Sequence, residues 1–409
     1  MEPKIRLKGF SGKWEEKKFD SLAKIRRGLT YSPSNITVKG VRVLRSSNIN
    51  EDTFVTSEDD VFVEETCVNI PLANDGDILI TAANGSPRLV GKHAVVETKG
   101  STMVPGGFMI LAMTDEPYFL NTCMSSPWYK TFLKTGVAGG NGAIGNLNKT
   151  ALVDSVFFIP SSKAERDLLA SYFQHLDILI QSTSKKIESL NQVKAASLQS
   201  MFPQEGETTP RVRFKGFEGE WSICPLKYFA KKSTEKNISM DYTITLTNSA
   251  EYGVINQRDF FDHDISNDDH INGYYVIHHD DFVYNPRVST AAPVGPISRN
   301  RLGYSGVMSP LYLIFRVNGI NKDFLSYYFK TMLWHNYMKL EGNTGARFDR
   351  LAISDEQFFN MPICVPKDEK EQTVIASFFT ALDSQITLQT QRLEKLKQIK
   401  AACLDKMFV

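Results

Sequence analysis

The sequence has 409 residues, of which 42% are hydrophobic and 23% charged, with a formal net charge of +1. That length exceeds one ordinary domain and predicts two or three, and the composition excludes disordered and fibrous classes. No apolar run approaches the roughly 20 residues needed to span a bilayer, and the charged opening MEPKIRLKGF has no apolar signal core, so a cytoplasmic protein is expected.

The first element in the chain is PKIRLKGFSGKW (Pro3–Trp14). It returns as PRVRFKGFEGEW (Pro210–Trp221), with Pro, Arg, Lys, Gly, Phe, Gly and Trp identical. After the first copy comes a stretch of mixed strand and helix patterning. GDILITAANGSPRLVGKHAVV (Gly76–Val96) reads as strand, Gly/Asn/Ser loop and strand, and VPGGFMIL (Val104–Leu111) as a further strand. An aromatic helix carrying Trp128, a Gly-rich loop (Gly139–Leu147) and a last strand ending at Pro160 follow.

SKAE (Ser162–Glu165) then has the spacing of a capping box and opens a helix of about 40 residues. Phe173, Leu176, Ile180, Thr183, Ile187, Leu190, Lys194, Ser197 and Met201 alternate steps of three and four along it, the pattern of a coiled-coil seam. FPQEGETTP (Phe202–Pro210) reads as an exposed linker.

The second half repeats this order. DDFVYNPRVSTAAPVGPI (Asp280–Ile297) is again strand then loop, and GVMSPLYLIF (Gly306–Phe315) precedes an aromatic helix with Trp334 and the loop EGNTGARFDRL (Glu341–Leu351). Pro366 and DEKE (Asp368–Glu371) open a second long helix. Its heptad runs Phe379, Leu382, Ile386, Gln389, Leu393, Leu396, Lys400, Cys403, Met407. Glu165–Phe202 and Glu371–Phe408 align at a shift of 206, so the chain is one unit present twice. The predicted limits are 1–161 and 212–367 for the globular parts, 162–203 and 368–409 for the helices, and 204–211 for the linker. Two amphipathic helices lying on their own domains are the alternative to a coiled coil, but a helix of roughly 60 Å overhangs a domain of this size.

Cys67, Cys123, Cys224, Cys364 and Cys403 are far apart and form no CxxC. A reduced protein without a zinc site is expected. His278 and His279 are adjacent, so on a strand they point to opposite faces, and no metal site is expected. An adenine methyltransferase would need an Asn/Asp-Pro-Pro-Tyr/Phe run. YNPR (Tyr284–Arg287) has one proline only. GSPRLVGKH (Gly85–His93) has the wrong glycine spacing for a phosphate loop and His93 where the magnesium-binding Ser/Thr belongs. No GxSxG and no Cys/His nucleophile pairing is visible, so no catalytic residue is assigned.

The loops carry side chains suited to DNA: Arg and Asn for base edges, Ser, Thr and backbone amides for phosphates. In the first half the candidates are Arg45, Ser46, Ser47, Asn48, Asn84, Ser86, Arg88, Lys92, Asn141 and Asn146. In the second they are Thr247, Asn248, Gln257, Arg258, Asn285, Arg287, Ser289, Thr290, Arg299, Arg301, Arg347 and Arg350. Near-neutral charge counts against a dedicated nucleic-acid binder. The charge is uneven, however: residues 1–28 hold nine Lys/Arg against four Asp/Glu. Such a chain also fits DNA binding within a complex whose partners supply most phosphate contacts.

The repeated PxxRxKGFxGxW openings, the strand-Pro-capping-box junctions (FFIPSSKAE and CVPKDEKE) and the heptad helices ending in Met-Phe resemble the specificity subunit of type I restriction–modification enzymes. The likeness covers essentially the whole chain, with one departure: the Glu-Gln pair usual at the helix junction is Glu371-Gln372 in the second copy and Glu165-Arg166 in the first. The resemblance implies an α+β fold with two mixed α/β target recognition domains in tandem, separated by two long helices forming an antiparallel, pseudo-twofold coiled coil. Phe173, Leu176, Ile180, Ile187, Leu190, Phe379, Leu382, Ile386, Leu393 and Leu396 would form its seam. It implies that each head reads one half of a bipartite, asymmetric site on double-stranded DNA. Two methyltransferase subunits holding S-adenosylmethionine, and motor/nuclease subunits using ATP and Mg, would be the partners; this chain itself would hold no cofactor and would not be an enzyme. A stand-alone bipartite regulator, a coiled-coil scaffold without a DNA role, and an enzyme with an unrecognised site remain the alternatives.

Overall fold

The computed structural model describes residues 1–139, 144–260, 268–343 and 349–409. The chain divides into two compact units, Met1–Lys185 with Gln389–Val409, and Lys186–Leu388. Both cuts fall inside the long helices, Lys163–Ser200 and Glu369–Met407. Each unit is therefore one globular head, the first part of the helix that follows it, and the last part of the other helix.

Both heads rest on the same frame. In the first, a four-stranded antiparallel sheet has the order His93–Val95, Ile78–Thr81, Met109–Met113, Lys24–Arg27. In the second, Ile297–Arg299, Phe282–Tyr284, Leu313–Val317 and Ala230–Lys232 repeat that order with the same antiparallel pairing. A two-stranded ladder closes each head: Glu15–Lys18 against Val156–Ile159, and Ser222–Pro225 against Pro362–Val365. One sheet face packs on aromatic helices, Pro117–Met124 and Pro127–Gly136 in the first head, Lys322–Tyr328 in the second. Trp128 lies within its helix, whereas Trp334 stands just before helix His335–Glu341, buried. The remaining strands differ between heads. The first adds a second four-stranded sheet, the second a hairpin, Leu246–Ser249 with Gly253–Asn256, and the pair Tyr275–Ile277 with Gly306–Met308.

The repeated opening motif is a strap. Arg6 grips the Glu165 carboxylate at the first helix start with two bonds of 2.8 Å, and Arg213 grips Glu371 at 2.7 and 2.8 Å. Bidentate geometry of this kind makes strong, directional pairs. The same two arginines donate to the carbonyls of Gly12 and Gly219. Those glycines have φ of 90° and 78°, a left-handed conformation that a side chain disfavours, which accounts for glycine at this place in both copies. The sequence pattern predicts reciprocal capping boxes here; instead both Glu carboxylates turn to the strap arginines, and at the second helix Asp368 Oδ1 accepts from the Lys370 amide.

The strap also receives the end of the other helix. Ile5 N donates to Lys406 O, and Val212 N to Ser200 O, both at 2.9 Å. Met407 and Phe408 are buried in the first unit's core with Trp14, Phe157 and Phe173. Met201 and Phe202 are buried in the second unit's core with Trp221, Phe324 and Phe379. Each such Phe contributes roughly 1.5–3 kcal/mol of burial. The Met-Phe ends thus belong to the core of the other head.

Arg166, the departure at the first junction, does the work of Gln372. Gln372 accepts from the Asn321 amide and donates to Pro366 O. Arg166 donates to Pro160 O and pairs with Glu116 at 2.7 and 2.8 Å. Asn321 and Glu116 stand at the same place, just before the aromatic helix.

Candidate nucleic-acid interface

In the first head, three loops far apart in sequence converge. Asn84 Nδ2 donates to Ser46 Oγ at 3.1 Å, joining the 45–48 turn to the 84–88 turn. Strand Gly145–Leu147 pairs with Ala83–Asn84, Asn84 facing Gly145 and Ala83 facing Asn146. Arg45, Ser47, Ser86, Arg88 and Asn146 are exposed around this junction, and Ser46, Asn84 and Lys92 are half-buried. Asn141 lies outside the described residues. Asn48 differs: it is 1% exposed, and its amide donates to Val55 O and Asp60 while its oxygen accepts from the Arg45 amide. It holds the loop that presents Arg45 and faces no solvent.

In the second head, Thr247, Asn248, Gln257, Asn285, Arg287 and Ser289 line one cleft of about 340 Å³. Asn285 donates to Asn248 O and accepts from the Arg287 amide, which fixes the turn carrying the exposed Arg287. Arg287 and Arg350 bridge as backbone partners. Thr247 Oγ1 lies 2.9 Å from Tyr312 OH. Ser289 and Thr290 are exposed, as is Arg258, and Arg350 is half-buried. Arg347 lies outside the described residues.

Three candidates of this head are engaged inside it. Asn248 is 2% exposed and donates to Val283 O and Pro296 O. Arg299 is bonded to Asp280 and to Asp323, and Arg301 shares Asp323 at 2.6 Å. An arginine already neutralised by carboxylates is a poor donor to DNA, and these ion pairs hold the edge strand to the aromatic helix.

Two groups at these loops carried no signal in sequence. Phe108 is 64% exposed, and its carbonyl accepts from the amides of Ala82 and Ala83 beside Asn84. Tyr312 lines the second cleft. An aromatic between strand residues reads as core by periodicity, so only the fold places these two at the loops.

All ten apolar seam residues named above are buried or half-buried. The polar seam positions are occupied as well. Thr183 and Gln389 are buried. Lys400 Nζ lies 2.7 Å from Asp177 and 2.9 Å from Asp52. Its twin Lys194 lies 2.5 Å from Asp383, whose other oxygen accepts from Tyr327 OH at 2.9 Å. Together with the 3.4 Å contact of Tyr172 and Cys403, these pairs make the helix segments antiparallel within each unit. Burial works against the charge of Lys400, but Asp52 and Asp177 outweigh it and hold the ammonium above its ordinary value. Burial likewise opposes ionisation of Asp383, and the Lys194 bond overcomes it, holding that carboxyl low.

Among the described residues no cluster could hold a metal ion, and no helix is long and apolar enough to cross a membrane.

Residues 220–398 match the family described as type I restriction modification DNA specificity domain. The chain is similar in fold to the type I restriction–modification S subunit from M. genitalium, with a TM-score of 0.63 at 13% identity, covering 100% of this chain and 99% of that one. The HsdS subunit from Thermoanaerobacter tengcongensis aligns with a TM-score of 0.43 at 15% identity, over 97% of this chain and 96% of that one. No curated protein matches the sequence significantly. The family match lies in the second copy of the repeat and its helix, and the first copy has the same sheet order, strap and helix junction. Over residues 220–398 the chain is similar to the type I restriction modification DNA specificity domain, and over its whole length its fold is similar to that of a type I restriction–modification S subunit.

Proposed function

We propose that each head reads one part of a bipartite, asymmetric sequence in double-stranded DNA, and that the chain directs methyltransferase and motor/nuclease subunits to it in the cytoplasm. The observation that carries this reading is the contrast between frame and loops. Sheet order, strap and helix junctions are the same in both heads, while the loops at 45–48, 84–88 and 144–146 have little in common with those lining the second cleft. Two readers of different targets need this combination, since positioning contacts are shared and base contacts are not.

Arg45, Ser47, Ser86, Arg88 and Asn146 are the first head's proposed contacts. Thr247, Gln257, Asn285, Arg287 and Ser289 are the second's. S-adenosylmethionine, ATP and Mg would be held by the partners. The near-neutral charge of this chain agrees with a clamp in which those partners supply many of the phosphate contacts.

The test is a genome-wide map of adenine methylation in the native host with and without the gene. Loss of one two-part asymmetric motif is expected. An unchanged map in a host whose partner subunits are active refutes the proposal.

A further inference from the structure

The two units carry twin polar networks where the helices meet, and the twins are not equally complete. In the first unit Lys400 is bonded to two carboxylates, Asp177 from the helix and Asp52 from the turn between Ile49–Asn50 and Thr53–Phe54. Asp52 also accepts from Ser125 Oγ at 3.0 Å, and its neighbours dock on the helices, Thr53 to Gln181 and Glu51 to Lys397.

In the second unit the proportions are reversed: Asp383 faces two ammonium groups, Lys194 at 2.5 Å and Lys330 at 3.5 Å. Lys330 stands where the first head has Ser125. The aromatic helices align through Phe119-Leu120 and Phe324-Leu325, and the next residues, Ser126 and Thr331, both donate to a carbonyl three residues back at 2.7 Å.

Among the described residues no carboxylate takes Asp52's role in the second unit. The hairpin turn that holds its place in chain order, residues 250–252, lines one wall of an open cavity of about 720 Å³. The Glu251 carboxylate on that turn is bonded to its neighbour Tyr252. Lys330, Arg301 and Asp383 line the cavity as well. Burial and the nearby Lys194 together depress the Lys330 ammonium, as expected where positive charge is in excess.

We infer that this cavity is a docking site for a carboxylate, supplied by an Asp or Glu of a partner protein, which completes on Lys330 the network that Asp52 completes on Lys400 and Ser125. The occupant is assigned by the twin: in the first unit the group seated against the equivalent helix junction is a carboxylate on a protein turn. The inference rests on the reading that the chain works within a complex.

Two measurements on the full chain, assembled with its methyltransferase partner, test it. Zero-length carbodiimide coupling followed by mass spectrometry is expected to join Lys330 to an Asp or Glu of the partner. Lys330→Ser, which installs the residue of the first unit, is expected to weaken partner affinity about tenfold, with an unchanged melting curve for the free chain. Coupling of Lys330 only to Asp383 or Glu251, or partner affinity unchanged in Lys330→Ser, overturns the inference. So does loss of DNA affinity with partner affinity intact, which would assign the cavity to a phosphate. Failure of any methyltransferase to associate with the wild-type chain would instead sink the functional reading itself.

Discussion

Lys400, on the seam of the second long helix, places its ammonium 2.7 Å from the Asp177 carboxylate of the first, and 206 residues earlier Lys194 sits 2.5 Å from Asp383. A lysine on a heptad seam interrupts apolar packing, and by itself looks like a flaw in the coil. Here it is the donor of an interhelical pair present once in each unit. Self-complementary polar pairs of this kind fix register and direction, at some cost in packing.

The Lys400 site makes stability depend on pH at the alkaline end. Its ammonium is held above the ordinary value near 10.5. A group whose folded pKa is raised in this way contributes stability in full below the unfolded value and loses it as pH rises through the folded one. Lys400→Met is expected to lower the urea midpoint at pH 7, since it leaves Asp52 and Asp177 without their counter-ion, at about 2–4 kcal/mol. Above the raised pKa the gap between wild type and variant should close. Asp383 has the opposite sign: its lowered carboxyl contributes above its ordinary value near 3.8, and that contribution is lost as pH falls through the folded value. Asp383→Asn should therefore be less stable than wild type at pH 7 and equal to it in strong acid.

The strap gives a second test. Glu165 is 1% exposed and Arg6 is its bidentate partner. Arg6→Met strands a buried carboxylate and should cost about 3 kcal/mol. Calorimetry is expected to show this as a lowered transition for the first unit only, and Arg213→Met as the same change in the second.

Helix ends that sit in the other head's core predict a distant effect from a terminal change. Phe408 packs edge-on to Trp14 with ring centroids 5.8 Å apart. Phe408→Ala should destabilise the first unit by roughly 3–5 kcal/mol. Phe202→Ala, whose ring lies 6.0 Å from Trp221, should do so to the second. Hydrogen exchange of strand Glu15–Lys18 against Ser222–Pro225 separates the two. Equal loosening of both strands by Phe408→Ala would contradict the assignment.

What could be read from the sequence was what repeats or has a period. The strap returns with seven of its twelve residues unchanged, and the seam follows steps of three and four, so both copies and both helices stand out without a structure. The exchange of helix ends between heads did not, because Phe202 and Phe408 look like any apolar end residue until Trp221 and Trp14 are seen beside them. Loop residues have no period to betray burial. Asn48 and Arg45 stand three apart in one polar run, yet one is spent on Val55 and Asp60 and the other faces solvent. The ion pairs of Arg299 were hidden for the same reason, its partners Asp280 and Asp323 arriving from separate elements. Arg166 weakened the match at the first junction, though it donates to the Pro160 carbonyl as Gln372 donates to the Pro366 carbonyl at the second.

The central claim is that each head reads its own part of the DNA site. The measurement that addresses it most directly is the methylated motif in a host whose only copy of the gene carries Gln257→Ala and Arg287→Ala, two side chains of the second cleft. Each lost base contact should relax discrimination by about 1–3 kcal/mol at its position. One part of the motif is predicted to become degenerate, with the other part and the gap between them unchanged. Degeneracy in both parts, or a motif identical to that of the wild type, would contradict the account.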